Sequence, residues 1–230
     1  MGRFDGKAIF ITGAASGIGL ATLRVVREGG GRVIAADLRP AAEIADAAGE
    51  GSDLLALTPD VSDEAAVHQA VNQALAWSPV FGLVNCAGIG GRGVVHTVDT
   101  AAWRRTLEVH VSGAMLTAKY LLPQMIEKKR GVFVNVASIY GMIGGAGNTP
   151  YNTAKGAILQ LTRCMAADYG AAGIRVNSVS PGYIATPMSS LLDHVPEVRD
   201  RFIKMHALGR PGRPEEVANA IASLLSDEAT

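Results

Sequence analysis

The stretch Ala8–Gly19 reads AIFITGAASGIG, a short apolar run that passes directly into a segment containing three glycines. The apolar part is typical of a strand buried on both faces of a parallel sheet. A helical pattern, Gly17–Glu28, begins before the glycines end. Glycines at 13, 17 and 19 allow a tight turn and a close approach of a pyrophosphate, whose charge the positive end of the helix would stabilise. The stretch therefore predicts a phosphate-binding turn between a strand and a helix.

The same alternation of strand and helix continues along the chain. Further apolar runs bounded by Gly, Pro, Asp or Asn occur at Arg32–Asp37, Leu54–Pro59, Phe81–Asn85, Val132–Ala137 and Arg175–Ser180. Helical patterns lie between them at Asp63–Trp77, Thr100–Glu127 and Tyr151–Tyr169. Repeated units of this kind predict an α/β fold with a doubly wound parallel sheet and helices on both faces. No linker or change of composition divides residues 1–230, so we expect one domain.

The charge balance and composition exclude several classes of protein. The 21 basic and 21 acidic residues give a formal net charge of zero, which argues against a nucleic-acid partner. No apolar stretch approaches the ~18 residues of a spanning helix, so no membrane partner is expected. Two cysteines, Cys86 and Cys164, predict a reducing, cytoplasmic location. His68, His96, His194 and His206 show no metal-ligand spacing and are interpreted as surface residues, so no metal is expected.

Asp37 closes the second predicted strand, 18 residues after Gly19. A carboxylate at this place can accept hydrogen bonds from both hydroxyls of an adenosine ribose, and it would repel a 2′-phosphate. Ser16 supplies no cation that would attract such a phosphate. Arg39 is the one residue here that favours a 2′-phosphate, since its side chain can turn towards it. The pattern predicts NAD, with a simple loop carboxylate as the alternative interpretation.

Ser138, Tyr151 and Lys155 form the candidate chemical group. Tyr151 and Lys155 are spaced i, i+4 and share one helix face. A lysine ammonium there favours the phenolate form of a tyrosine, whose ordinary pKa is ~10, and makes it a general acid/base. Ser138 ends the fifth strand, where open α/β sheets bind ligands, and its hydroxyl can hold a substrate oxygen. The alternative is a solvated helix face.

Residues 183–213 carry apolar side chains without a strand pattern, which is typical of a flap over a pocket or of an ordinary surface hairpin. Six apolar residues hint at an apolar substrate pocket: Met142, Ile143, Tyr183, Met188, Leu191 and Leu192. Arg92 follows two glycines on the pocket side of the fourth strand. It is interpreted as a solvated arginine at the rim, with a contact to a substrate carboxylate as the alternative.

Taken together, these motifs resemble the short-chain dehydrogenase/reductase family in its shorter, single-domain branch. The resemblance runs from about Lys7 to the last residue. It rests on Thr12–Gly19, Asp60-Val61, Asn85-Cys86-Ala87-Gly88, Ser138, Tyr151 with Lys155, Pro181-Gly182, Gly209-Arg210-Pro211 and Pro214–Ala218. It implies a Rossmann-type NAD(P)-binding catalytic domain.

The resemblance also implies roles for individual residues. Tyr151 would exchange the proton, Lys155 would bind the nicotinamide ribose and Ser138 would hold the carbonyl or alcohol oxygen. Asp60 and Val61 would flank the adenine. The remaining cofactor contacts would come from Gly13, Ser16, Gly17, Ile18, Gly19, Asp37, Leu38, Asn85, Ala87, Gly88, Pro181, Gly182, Ile184 and Thr186.

Two features depart from the family pattern. His110 stands where most relatives have an asparagine, although Trp103, Val109 and Gly113 around it are in place. In the family, the carbonyl of that asparagine holds a water used in a proton relay. His110 is therefore a candidate catalytic residue with an ordinary pKa near ~6.5, or it merely packs between helices. The family's seventh strand also has no counterpart before Thr230, so we expect a sheet that lacks it or carries it truncated.

The sequence leaves three functions open. The leading interpretation is an NAD-dependent oxidoreductase for a small or medium alcohol/ketone pair, with Tyr151 as general acid/base. An NAD(H)-binding regulatory protein with little turnover is the second. An epimerase or dehydratase of the family's extended branch is the third, although that branch spaces its glycines differently. The resemblance implies a homodimer or homotetramer that pairs the helices Thr100–Glu127 and Tyr151–Tyr169.

Overall fold

A six-stranded parallel sheet organises the computed structural model, which describes residues 2–190 and 195–229. The strands are β1 (Ala8–Thr12), β2 (Arg32–Ala36), β3 (Leu54–Leu57), β4 (Val80–Asn85), β5 (Gly131–Val136) and β6 (Ile174–Val179). They pair in the order β3-β2-β1-β4-β5-β6. The chain thus winds outward from β1 in one direction and from β4 in the other. The predicted doubly wound α/β fold is confirmed, and each strand lies within two residues of its predicted bounds.

Helices cover both faces of this sheet, and several match the predicted ranges. They are α1 (Gly17–Glu28), α2 (Ala41–Ala48), α3 (Glu64–Trp77), α4 (Thr100–Leu107), α5 (Gly113–Glu127), α6 (Thr149–Tyr169), α7 (Pro196–Lys204) and α8 (Pro214–Leu225). The helices α2 and α8 were not predicted, and α2 buries only Ile44. Leu191, Leu192 and His194 of the predicted flap and surface lie outside the described residues.

The prediction of one continuous helix over Thr100–Glu127 is wrong in its middle. A π-helical segment, Glu108–Ser112, separates α4 from α5. A π turn accommodates one extra residue, and both Val109 and His110 are buried in this one. Gly113 follows directly and packs against the Val61 side chain so closely that a Cβ would lie 2.9 Å from it. The widened turn therefore brings the His110 side chain into the interior.

The core consists of two apolar layers, one on each face of the sheet. Along β1, Ile9 and Ile11 belong to the layer under α1, α2 and α8, while Ala8 and Phe10 belong to the layer under α3, α5 and α6. This alternation is the two-residue period of a strand. Because both faces are covered, every residue of β1 is apolar up to Thr12 and all five are buried.

The carboxyl ends of β1 and β4 are fixed to each other. The hydroxyl oxygen of Thr12 accepts hydrogen bonds from the backbone N–H groups of Cys86 and Ala87, both at 3.1 Å. Gly13 has a φ of +67°, and a Cβ there would lie 2.9 Å from the Ala87 backbone. Glycine is therefore required here both by conformation and by space. The winding of the sheet reverses between these two strands, which is where ligand crevices open in such sheets.

Candidate active site

A cleft of about 620 Å³ opens at the carboxyl ends of the strands. Most of the predicted site residues line it: Gly13, Ser16, Gly17, Ile18, Asp37, Leu38, Gly88, His110, Ser138, Tyr151, Lys155, Pro181, Gly182, Ile184 and Thr186. Five predicted cofactor residues lie outside its lining: Gly19, Asp60, Val61, Asn85 and Ala87. The topology thus brings the turn after β1, the end of β5 and helix α6 to one cavity.

The glycine turn is built as the sequence indicates. Gly17 has a φ of +52°, and a Cβ there would lie 3.2 Å from the Thr186 side chain. A Cβ on Gly19 would overlap the carbonyl oxygen of Gly13, so Gly19 serves the turn from inside the helix. Ser16, Gly17 and Ile18 form the N-terminus of α1 in the cleft wall, where free N–H groups carry partial positive charge. This end of the cleft fits an anionic phosphate.

Asp37 follows β2 at the far end of the cleft. One carboxylate oxygen accepts a hydrogen bond from the Ala15 N–H at 3.0 Å, and the other accepts one from the Arg39 N–H at 3.1 Å. These bonds hold the carboxylate beside the glycine turn. The Arg39 side chain is exposed, lines the same end of the cleft and forms no hydrogen bond or ion pair with the described residues. The carboxylate is therefore preorganised, whereas the guanidinium is not.

Asp60 and Val61 lie outside the lining of the cleft and contact other parts of the protein. The Asp60 carboxylate pairs with Arg105 at 2.9 Å and accepts hydrogen bonds from the N–H and hydroxyl of Ser62. These bonds hold the pKa of Asp60 below its usual value, although its partial burial opposes them. Val61 packs against Gly113. Asp60 and Val61 thus hold α4 and α5 against the loop after β3, and their predicted contact with adenine stays a prediction.

Ser138, Tyr151 and Lys155 converge on the middle of the cleft. The Lys155 ammonium is 5% exposed, donates a hydrogen bond to the Val136 carbonyl oxygen at 2.7 Å and lies 5.5 Å from the Tyr151 ring centre. Burial lowers the pKa of Lys155 to about 8. The Ser138 side chain accepts a hydrogen bond from the Tyr140 N–H at 3.2 Å. Its hydroxyl interacts with the phenol, so a substrate oxygen between them would meet two hydroxyl groups.

The protonation of Tyr151 differs from the expectation. Burial raises the pKa of Tyr151 above 10, and the hydrogen bond with Ser138 opposes this only in part. The Lys155 ammonium donates to a backbone carbonyl rather than to the phenol. The raised pKa keeps the proton on the Tyr151 phenol at neutral pH. The Tyr151 phenol is thus poised to donate a proton to a carbonyl oxygen.

His110 lies beneath Tyr151 with its ring edge-on, at 5.5 Å between ring centroids. Its Nε2 is 3.1 Å from the N–H nitrogen of Ile89 and 2.8 Å from the carbonyl oxygen of the same residue. Nδ1 is buried without a hydrogen-bond partner in the described structure. Burial lowers the pKa of His110 to about 3, and the nearby Lys155 charge adds to this effect. The imidazole is therefore neutral at ordinary pH, which favours the packing role over a titration near pH 6.5.

A second, much smaller cavity of about 10 Å³ is also lined by His110. It is lined in part by Asn85, Lys155 and Ala87, and its volume is close to that of one water molecule. Asn85 Nδ2 donates to Asn135 at 2.8 Å, while Asn85 Oδ1 is buried without a partner among the described residues. Asn85 and Ala87 thus belong to this cavity, and their predicted contact with the cofactor stays a prediction.

His206 has a structural role that the sequence did not indicate. Its Nε2 accepts a hydrogen bond from the Tyr183 N–H at 2.9 Å, and its Nδ1 donates one to the Phe202 carbonyl oxygen at 2.7 Å. The ring ties α7 to the loop 181–184, and the prediction of a surface residue is wrong here. Because the contact with Tyr183 spans 23 positions, no sequence pattern indicates it. His68 and His96 are exposed, as predicted.

Comparisons with known proteins identify the family of this chain. A family model described as enoyl-(acyl carrier protein) reductase matches residues 13–230. Cis-4-hydroxycyclohexanecarboxylate dehydrogenase of Sinomonas cyclohexanicum is 40% identical over 99% of this chain and 92% of the relative. The chain belongs to the short-chain dehydrogenase/reductase family. The crystal structure of levodione reductase, another similar protein, has a TM-score of 0.91 and 31% identity over 99% of this chain and 93% of the other.

The relatives are dehydrogenases and reductases, and this short-chain dehydrogenase/reductase is therefore an oxidoreductase of a family that binds a nicotinamide cofactor. The name of one relative describes that protein as inactive. The protein named inactive 2-(S)-hydroxypropyl-CoM dehydrogenase 2, of Xanthobacter autotrophicus, is 45% identical over 74% of this chain and 76% of its own length. Within residues 2–190 and 195–229, no helix is long and apolar enough to cross a membrane.

The depressed pKa of His110 predicts how stability depends on pH. The folded protein keeps the imidazole neutral down to about pH 3, whereas the unfolded chain protonates it near pH 6.5. The His110 contribution to the free energy of unfolding is therefore fully present above pH 6.5 and is lost as pH falls towards 3. Relative to His110→Asn, the wild type should lose about 1.4 kcal/mol for each pH unit below about 6.

Urea unfolding of both proteins between about pH 4 and pH 8 measures this difference, and the other histidines cancel because both proteins contain them. Parallel stability curves would show that the imidazole is not buried as described.

In pH–rate profiles of kcat, wild type and His110→Asn should show the same acidic limb, because a neutral imidazole adds no titration near 6.5. An acidic limb that only the wild type shows would make His110 a titrating member of the mechanism.

Proposed function

We propose that this chain is a single-domain, NAD-dependent dehydrogenase/reductase that interconverts a small or medium alcohol and its ketone, with Tyr151 as general acid/base. The observation that carries the proposal is the convergence of Ser138, Tyr151 and Lys155 in one cleft with the glycine turn and Asp37. The groups that we expect to bind an adenosine ribose and a pyrophosphate and to donate a proton line one cavity, which supports the binding of a dinucleotide. Two free cysteines support the expected cytoplasmic location.

The residues of the chain act on the proton rather than on the hydride. When bound, the nicotinamide supplies or accepts the hydride at the substrate carbon. In the reducing direction, the hydroxyl groups of Ser138 and Tyr151 hold the carbonyl oxygen, and Tyr151 donates its proton as that oxygen becomes an alkoxide. The raised pKa of Tyr151 keeps this proton available at neutral pH. In oxidation, the same phenol must first lose its proton.

Lys155 supplies positive charge next to this exchange. Its pKa of about 8 keeps it an ammonium at pH 7, and its bond to Val136 fixes it below Tyr151. A phenolate formed during turnover is stabilised by that charge. The ammonium has two further protons, which can bind the ribose hydroxyls of a nicotinamide nucleotide. For His110 we propose a positioning role, in which the edge-to-face contact between the two rings holds Tyr151 in place.

Cofactor choice depends on the two charged groups after β2. Asp37 is held by two backbone N–H groups and faces the place of an adenosine ribose, whereas Arg39 is unrestrained. We expect kcat/KM for NAD to exceed that for NADP by tenfold or more, about 1.4 kcal/mol. Asp37→Ala should shrink this ratio at least fivefold, and Arg39→Ala should leave it unchanged or larger. Steady-state kinetics with both cofactors measure the ratios.

Equal efficiencies with NAD and NADP in the wild type would contradict the assignment of Asp37. A fall of the NADP efficiency alone in Arg39→Ala would then identify Arg39 as the phosphate ligand. The glycine turn and the general acid/base would be unaffected by that result, because neither distinguishes the two cofactors.

The role of Tyr151 is tested by removing its hydroxyl. Tyr151→Phe should lower kcat at least a hundredfold, as expected for loss of a general acid/base, while the Kd for NADH changes less than threefold. Lys155→Ala should impair both quantities, since it removes the charge and the ribose contact. Tyr169→Phe is the matched control, because Tyr169 ends the same helix and lies outside the cleft lining.

A Tyr151→Phe enzyme with ordinary kcat would end the proposed mechanism. The second candidate function, an NAD(H)-binding protein without turnover, is favoured by one observation, the relative named as inactive. Fluorescence titration with NADH and an assay against a panel of alcohols and ketones separate the two. Tight binding of NADH without turnover of any panel member would support the regulatory function.

We also propose that the protein forms at least a homodimer through α5 and α6. Both helices lie on the same face of the sheet, and α5 exposes Met115 and Ile126, each at least 40% exposed. Exposed apolar side chains of this kind are expected to pack against each other in an isologous interface. Light scattering at micromolar concentration should give twice or four times the 23.9 kDa chain mass. A monomer would contradict the proposal, and Met115→Lys should shift a dimer towards monomer.

A further inference from the structure

The backbone of Arg92 is fixed next to the residue that exchanges the proton. Gly91, which precedes it, is buried, and a Cβ there would lie 2.9 Å from the Tyr151 backbone nitrogen. Gly93, which follows it, donates a hydrogen bond to the Gly147 carbonyl oxygen at 2.8 Å. Its own carbonyl oxygen accepts one from the Thr149 N–H at 3.0 Å. Arg92 is therefore held on both sides against the start of α6.

The Arg92 side chain lines the cleft beside Tyr151 and is exposed at its rim. It forms no hydrogen bond or ion pair with any described residue. A guanidinium with no partner that lines a cleft is available to a ligand. The sequence interpretation of a solvated rim arginine is thus correct as to exposure, and it does not account for the restraint of the backbone.

The acidic and basic groups of the cleft are unevenly distributed. Among residues 2–190 and 195–229, the one acidic residue that lines the cleft is Asp37, which follows β2, whereas Ser138 follows β5. Three strand spacings separate β2 from β5, which amounts to about 14 Å. The end of the cleft near Ser138 and Tyr151 thus has Arg92 and the buried Lys155 in its lining, and no carboxylate among the described residues there. Lys155 already donates to Val136.

A second arginine adds to this positive charge. The guanidinium of Arg201 on α7 acts on the hydroxyl of Tyr140, which lines the cleft: burial raises the pKa of Tyr140, and Arg201 opposes that rise. Arg201 forms no ion pair with the described residues, whereas its neighbours Arg199 and Asp200 pair with each other. The remaining wall includes the apolar side chains of Met188 and Phe202. An apolar wall with unpaired cations at its rim suits an amphiphilic anion.

We propose that Arg92 binds a carboxylate of the substrate, so that the alcohols and ketones this enzyme converts are hydroxy acids and oxo acids. The inference rests on the proposed function and names the substrate class of that site. The planar guanidinium presents paired N–H donors that match the two oxygens of a carboxylate. Sulfonate and phosphate carry the same negative charge and can pair with a guanidinium in the same bidentate way, so the experiment includes both of them. Arg201 contributes only to the surrounding potential.

The experiment compares acids with their neutral analogues. Several hydroxy acids of different chain length, each paired with its primary amide, are assayed with NAD on wild type, Arg92→Gln, Arg92→Lys and Arg201→Gln. Wild type should prefer the acid of the best pair by tenfold or more in kcat/KM. Arg92→Gln should abolish this preference, Arg92→Lys should retain part of it, and Arg201→Gln should reduce it less than threefold. Hydroxy sulfonates and hydroxyalkyl phosphates, assayed alongside, show whether another anion is preferred.

Arg104→Gln is the matched control, because Arg104 is an exposed arginine on α4 outside the cleft lining. A preference for acids that survives Arg92→Gln, or no such preference in the wild type, would overturn the assignment. So would a larger effect of Arg92→Gln on the KM for NAD than on the acid-to-amide ratio, since Arg92 would then bind the cofactor. A sulfonate or phosphate preferred tenfold over the carboxylate would overturn the choice of anion.

A binding measurement separates this proposal from the proposed function. Calorimetric titration of the protein–NAD complex with benzoate and with benzamide requires no turnover. Benzoate should bind at least tenfold more tightly than benzamide to wild type and to Arg104→Gln, and equally to Arg92→Gln. Absence of turnover with this binding pattern would contradict the dehydrogenase function and leave the anion site intact. Turnover of neutral alcohols together with equal binding of benzoate and benzamide would contradict the anion site and leave the dehydrogenase function intact.

Discussion

The contact between Gly13 and Ala87 is the constraint on which the site depends. It joins the carboxyl ends of β1 and β4, the neighbouring strands between which the sheet reverses its winding. Thr12 reinforces this contact, because its side chain accepts hydrogen bonds from the backbone N–H groups of Cys86 and Ala87, which would otherwise lack partners. With the two strand ends held together, the turn after β1 and the loop after β4 must leave in different directions. The cleft is the space between them.

The buried ammonium of Lys155 dominates the electrostatics of that space. A charge that is 5% exposed is costly to bury, and one hydrogen bond to Val136 offsets this cost only in part, as its lowered pKa shows. The same charge disfavours a proton on His110. Burial acts on Tyr151 in the opposite sense, because its charged form is the deprotonated one. At pH 7 the three neighbours are therefore an ammonium, a neutral imidazole and a neutral phenol.

The sequence predicts the parts of the molecule that local patterns determine. Runs such as Ala8–Thr12 are continuous and apolar because the sheet is covered on both faces, and the spacing of Tyr151 and Lys155 follows from one helix. The π turn at Glu108–Ser112 was not predicted, because the segment contains no glycine or proline that would mark an interruption of the helix. The bond from Tyr183 to His206 joins distant segments, and the raised pKa of Tyr151 results from burial by several elements. Such features depend on tertiary packing, which a single sequence does not display.

The π turn and the loop after β4 are coupled through one side chain. The His110 ring occupies the space where a Cβ of Gly88 would lie, so a glycine at 88 is the condition for an imidazole at 110. Nε2 is within hydrogen-bond distance of both the N–H and the carbonyl of Ile89, and it can serve only one of them at a time. When the proton is on Nε2, the ring donates to the Ile89 carbonyl oxygen and the buried Nδ1 has no proton. When the proton is on Nδ1, Nε2 accepts from the Ile89 N–H. Because a pKa of about 3 keeps the ring uncharged, the imidazole contacts Ile89 only as a neutral donor or acceptor. What His110 brings to this site is therefore its tautomer rather than its charge.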